Sequence, residues 1–243
     1  MRDNLLDIVK NTYGLGIIDL VKIVGTDTET AIEALAEDRS VIVKATMNKT
    51  APDFKGTFGM PNLGLLSVIL NLPEYKENAK IELATQERNG EQVAVGLNFE
   101  NGTGNFKNTY RFMSQEIVTD KLKSVKMRDV KWNVEFEPSM GSISMLKSMA
   151  AANPQETTFV SKTEGDDLKF YFGDHSSHAG DFVFHAQVGG TLSKGWAWPV
   201  GAVIGILGLT GNKKFSISDE GAAQITVNTG ITTYNYILPA QSK

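Results

Sequence analysis

Cysteine is absent from the 243-residue sequence, so neither disulfides nor thiolate zinc sites can support the fold. That suits a reducing cytosol, and a cytoplasmic protein is expected. Long apolar runs are also missing: the longest, residues 196–209, is too short to span a bilayer and is cut by Pro199 and several glycines, so it reads as a buried helix. No membrane partner is expected. The opening residues mix Arg2, Asp3 and Asp7 with leucines and lack the basic start and apolar stretch of a secretory signal. Without secretion, the sequons Asn48-Lys49-Thr50 and Asn101-Gly102-Thr103 carry no glycan. An excess of positive charge is lacking as well. Lys and Arg number 24 against 28 Asp and Glu, a formal charge of −4, so contact with nucleic acid would need a local basic surface.

Catalytic signatures are equally scarce. No Gly-x-Ser-x-Gly elbow accompanies the Ser, His and Asp residues. The glycine-rich stretch 101–105 is not followed by the lysine and helix of a phosphate loop. His175 and His178, with Asp174, Asp181 and His185, fall in a hairpin loop where no helix fixes a metal-ligand spacing. The expectation is therefore no catalytic residue, no metal and no cofactor.

What is present is the mixture of a soluble globular protein, 41% hydrophobic and 21% charged, long enough for one large all-β unit or for two domains. β-Branched and aromatic residues mark strands at 17–24, 30–35, 41–47, 54–58, 80–85, 92–97 and 105–113. Turn chemistry separates them, with the Asn-Gly pair of Arg88-Asn89-Gly90-Glu91 for a tight hairpin and the looser 100–105. Two segments change period. Leu5, Leu6, Ile8 and Val9 predict a helix over 4–13, and Leu63, Leu66, Ile69 and Leu70 predict one over 61–72, with Pro61 in its first turn.

The same order then returns. Strand 132–136 precedes a helix over 139–151 carrying Ile143, Leu146, Met149 and Ala150; strands follow at 158–161, 168–172, 182–188 and 195–198, then an apolar helix over 199–209 and hairpin strands at 214–218, 223–228 and 232–238. Residues 58–72 and 196–209 run parallel: an aromatic strand end at Phe58 or Trp196, a proline at Pro61 or Pro199, a helix, then a strand with Ile81 or Phe215. The chain thus divides into duplicate domains at 1–113 and 130–243, joined by a charged connector at 114–129 that crosses the surface (Gln115, Glu116, Asp120, Lys121, Lys123, Lys126, Arg128). A fold of repeated units can close on itself.

This arrangement resembles the DNA polymerase sliding clamps, and in particular the tailed-phage clamps of the T-even type. The likeness spans essentially the whole chain. It is carried by residues 62–70 after a strand ending in Phe58, by the connector, and by Gly221-Ala222-Ala223 leading into closing strands that end at Tyr236-Ile237-Leu238-Pro239. The resemblance implies an α+β fold of two repeated clamp domains, antiparallel sheets outside and two helices per domain facing a central pore, in a homotrimeric ring. It implies a processivity factor with no chemistry of its own. Partners would be duplex DNA held without sequence readout, a DNA polymerase, a clamp loader and the chain itself.

Residue by residue, the resemblance places the DNA face at the basic positions on or just after the helices, namely Arg2, Lys10, Lys76, Lys147, Lys213 and Lys214, with the neutral Asn11, Ser67 and Asn71 beside them. Here the chain departs from the family pattern, because the helices at 61–72 and 199–209 contain no charge. A pocket for partner peptides would be formed by Ile117, Val118 and Leu122 of the connector with Ile237, Leu238 and Pro239. An Ile-Val pair in a charged loop either packs inward or serves a partner. Subunits would join through edge strands 105–112, with Phe106, Tyr110 and Phe112, and 181–188, with Phe182 and Phe184. The competing readings are a β-rich phage tail or capsid protein, which would assemble into larger particles, and a small-ligand β-module, which would carry one deep pocket.

Overall fold

The computed structural model describes residues 1–88, 90–123, 129–174 and 179–241. They form two compact units. The first comprises 1–39, 43–125 and 229–234, the second 40–42, 126–228 and 235–243.

In the first unit, helix α1 (Arg2–Asn11) buries Leu5, Ile8 and Val9. Next come β1 (Leu20–Gly25), β2 (Thr30–Leu35), β3 (Ile42–Met47), β4 (Gly56–Pro61), α2 (Leu63–Asn71), β5 (Lys80–Arg88), β6 (Glu91–Glu100), β7 (Lys107–Arg111) and α3 (Gln115–Lys121). Strand order is β4-β1-β2-β3 in one sheet and β5-β6-β7 in the other. Alternate residues of β1 and β2 point inward in register, Ile23 opposite Ile32 and Val21 opposite Ala34. A bridge between Gly59 and Met113 links the two sheets.

The second unit holds β8 (Val134–Phe136), α4 (Met140–Ala152), β9 (Thr158–Glu164), β10 (Asp167–Phe172), β11 (Gly180–His185), β12 (Trp196–Pro199), α5 (Val200–Leu207), β13 (Asn212–Ser218), β14 (Ala222–Asn228) and most of β15 (Thr232–Pro239), whose first three residues belong to the first unit. Its sheets run β11-β10-β9-β12 and β15-β14-β13-β8. The four-stranded sheet repeats that of the first unit strand for strand, and a bridge from Ala197 to Gln241 repeats the one from Gly59 to Met113. The duplication expected from the sequence is thus present in order and in pairing. Its core is aromatic: Phe159, Phe170, Phe172 and Phe184 are at most 1% exposed, and the Trp198 indole N–H donates to Ser161 Oγ at 2.7 Å.

Several expected elements shift. Of the two prolines, only Pro199 stands at the start of a helix, as the N-cap of α5. Pro61 ends β4 and Pro199 ends β12, and α2 begins only after Asn62, whose φ of 54° turns the chain. The orphan N–H groups of α2 are satisfied from a distance: the Leu63 N–H donates to the Asp19 carbonyl and the Gly64 N–H to Asp19 Oδ1. Phe54 lies in a 3-10 turn rather than a strand, and β1 starts at Leu20. The strand expected over 105–113 is confined to Lys107–Arg111, and that over 182–188 is Gly180–His185. The connector is not simply a surface loop, because its first half is α3 with Val118 fully buried. Asn89, residues 124–128, His175 and His178 lie outside the described residues.

Candidate nucleic-acid interface and partner groove

Each unit pairs two helices, α1 with α2 and α4 with α5. Their inward faces are apolar, with Leu63, Leu66, Ile69 and Leu70 on α2 and Val200, Val203, Ile206 and Leu207 on α5. In the first unit, polar fastenings supplement this packing. The Arg2 guanidinium donates to the Leu70 carbonyl at 2.9 Å, placing a cation at the negative end of α2. Asp7, buried on α1, accepts the Tyr234 hydroxyl at 2.9 Å and the Asn11 side chain at 3.1 Å. Asn11 is therefore an interior residue and not a surface one.

The solvent-facing sides of the helices are nearly neutral. α2 presents Leu65, Val68 and Asn71, and α4 presents Met140, Met145, Ser144, Ser148 and Lys147. Of the six cations singled out in the sequence, Lys10 and Lys147 are exposed on helices. Arg2 is committed to Leu70. Lys76 is exposed just after the 3-10 turn Pro73–Tyr75. Lys213 is half-buried with its ammonium on the Gly211 carbonyl, and burial lowers its pKa. Lys214 pairs with Glu135 at 2.5 Å, a bond that holds the Glu135 carboxyl below its usual range. The last two begin β13, so neither lies on a helix.

The residues proposed for partner peptides separate. Val118 is fully buried against Gly59 of β4, where an added Cβ would stand 2.7 Å from its methyl group. Gly59 is thus a close-approach glycine, and Val118 is unavailable to a partner. Ile117, on the same short helix, is 52% exposed. Leu122 lines a cavity of about 500 Å3 with Leu20, Leu35, Ala36, Pro61 and Met113, rimmed by Asp19, Glu37, Arg39 and Lys121. A second cavity of about 330 Å3, lined by Tyr13, Ile17 and Ile18, shares Asp19 and Glu37 with it. The β2–β3 turn contributes Glu37 and Arg39 to these cavities. Arg39 with φ 59° marks that turn, and no periodic pattern advertises it. In β15, Ile237 and Leu238 are buried and Pro239 is exposed, so the apolar pair belongs to the interior.

The proposed edge aromatics divide too. β7 pairs with β6 and β11 with β10, each at the end of its sheet order. Tyr110 and Phe184 point inward, 2% and 1% exposed. The Tyr110 hydroxyl donates to the Pro61 carbonyl, and burial next to the Asp19 charge pushes its pKa up. Phe106, Phe112 and Phe182 remain partly exposed. Phe112 stacks on Phe58 at 4.3 Å.

Among the described residues no helix is long and apolar enough to cross a membrane. No family profile matches the chain and no curated protein sequence does. Solved structures do. PCNA of A. fulgidus, bound to the C-terminal region of FEN-1, is 10% identical, with 100% of this chain and 97% of that one covered at a TM-score of 0.70. PCNA from Thermococcus kodakaraensis is 11% identical, with coverages of 99% and 97% and a TM-score of 0.69. At such identities the likeness is one of fold, and the chain has the α+β fold of the PCNA-type clamps, with repeated domains, over its whole length.

Proposed function

We propose that the chain is a DNA sliding clamp, copies of which close into a ring around duplex DNA and tether a DNA polymerase to it. The carrying observation is how the duplicated fold treats its sheet edges. By position in the repeat, β3 corresponds to β11 and β15 to β7. Within the first unit, the opening of β15 lies along the end of β3: the Asn48 N–H donates to the Ile231 carbonyl at 2.8 Å and the Thr233 hydroxyl to the Asn48 side chain at 3.0 Å. Among the described residues, the equivalent strands β11 and β7 end their sheets. An open edge is a template for another strand. Pairing β7 of one copy with β11 of the next would cover both edges, and a head-to-tail join of this kind builds rings.

Three copies are the number the resemblance implies, with 1–113 and 130–243 as the clamp domains and 114–129 as the connector. Phe106, Phe112 and Phe182 would be covered at the joints. The helix pairs would face the duplex, with Lys10 and Lys147 as phosphate contacts and Lys76, Lys213 and Lys214 nearer its edge. Retention by encirclement asks little of them, and the neutral helix faces agree with that. The groove beside Leu122 and Met113 would receive an apolar side chain of the polymerase or loader, with the exposed Ile117 of the same short helix free to add to the contact.

The finer assignment, a tailed-phage clamp of the T-even type acting in phage DNA replication in the bacterial cytoplasm, rests on the sequence resemblance. The test is topological. Loaded by a T-even-type clamp loader, the protein should form a ring by negative-stain imaging, stay on nicked circular DNA through gel filtration, and be lost when the circle is cut. A monomer, a filament, a large particle, or equal retention on linear DNA would overturn the proposal.

A further inference from the structure

The two units also differ at the edge formed by β5 in the first and by β13 in the second. In the second unit β8 lies against β13, with Phe136 opposite Phe215, Glu135 opposite Ser216 and Val134 opposite Ile217. The Phe136 and Phe215 rings are 5.4 Å apart, and Glu135 binds Lys214 and accepts the Ser216 hydroxyl at 3.1 Å. In the first unit the equivalent strand, β5, has β6 on one side and, among the described residues, ends the sheet on the other.

The pairing registers align the two sites. The bridges equate Met113 with Gln241 and Gly59 with Ala197, so Tyr110 corresponds to Leu238. Tyr110 pairs with Leu97, and Leu97 with Leu83. Between β14 and β15 the Thr229 N–H donates to the Thr232 carbonyl, a register that carries Leu238 to Ala223, and Ala223 pairs with Ile217; Leu83 thus matches Ile217, Ile81 matches Phe215, Glu82 matches Ser216 and Lys80 matches Lys214. Burial differs accordingly: Phe215 and Ile217 are fully buried, whereas Ile81 and Leu83 are only half-buried. Charges along β5, among them the Lys80–Glu82 pair at 2.8 Å, keep this edge from indiscriminate pairing.

We infer that the open edge of β5 at Lys80–Leu83 is a strand-addition site for an extended segment of a partner protein. The chain itself displays the form of the occupant. Like β8, it places apolar residues opposite Ile81 and Leu83, joined to β5 by main-chain hydrogen bonds. Its middle residue is Lys or Arg, because Glu82 stands where β13 has Ser216, and a like charge directly opposite is unfavourable.

A fluorescent peptide copying residues 132–138 with Lys in place of Glu135 is titrated against the full-length protein, with amide exchange followed in parallel. Binding is expected, with slowed exchange at Ile81 to Leu83. N-methylation of alternate peptide amides should abolish it. The Glu82→Lys variant should reverse the preference between this peptide and its Glu135 parent, each by about threefold. No binding at roughly millimolar peptide, binding indifferent to N-methylation or to charge, or protection of β5 by self-association in the absence of peptide would each overturn the site. None of these outcomes bears on ring formation, which is measured separately.

Discussion

The first unit fastens its helices with buried polar groups and leaves the β5 edge open, while the second packs small and apolar helix residues and closes the matching edge with β8. One repeated topology thus covers an edge in one unit and leaves the matching edge uncovered in the other. The lesson is that a duplicated fold conserves strand order more strictly than the means of covering it.

Making the second unit resemble the first should have the largest effect. Phe136→Ala removes a ring packed on Phe184 and Phe215 and should destabilise the protein by about 3–5 kcal/mol, read from urea unfolding. The next largest effect comes from making the first unit resemble the second. Gly59→Ala copies Ala197, yet its methyl would meet Val118, so a loss of about 1–3 kcal/mol and faster proteolysis of the connector are expected. The added Val118→Ala should recover most of the loss. Tyr234→Phe leaves the buried Asp7 carboxylate one donor short and should cost about 1–2 kcal/mol in the same assay. On function, Lys10→Gln and Lys147→Gln should each lower the salt slope of duplex binding by about 1 unit, with little change in retention on circles.

The smallest effect concerns pH. Glu135 is held below its ordinary pKa, first by Lys214, so its stabilisation is present above the ordinary carboxylate range and lost as pH falls through the lowered value. Because the pair is well exposed, its worth is about 0.3 kcal/mol. Glu135→Gln should lower the urea midpoint slightly at pH 7 and leave it unchanged near pH 2.

The alternation of Val21, Ile23, Ala34 and Ile32, the helical spacing of Leu63, Leu66, Ile69 and Leu70, and the parallel between Phe58–Pro61 and Trp196–Pro199 disclosed the α+β class and the duplication, because local periodicity records which face of an element is buried. It misplaced Pro61, since a proline before a helix also suits a strand end and the cap of α2 came from Asp19, 45 residues earlier in the chain than Gly64.

By itself, then, the sequence determined the elements, their repeat and the scarcity of charge on two helices, all properties of neighbours along the chain. Tertiary structure alone decided that Val118 is spent on Gly59, that Arg2 is bound to Leu70, that Leu35 and Met113 meet Leu122 at one groove, and that β5 keeps an open edge. Each depends on the approach of segments far apart in sequence, and no local pattern encodes which of two similar apolar residues a distant backbone will cover.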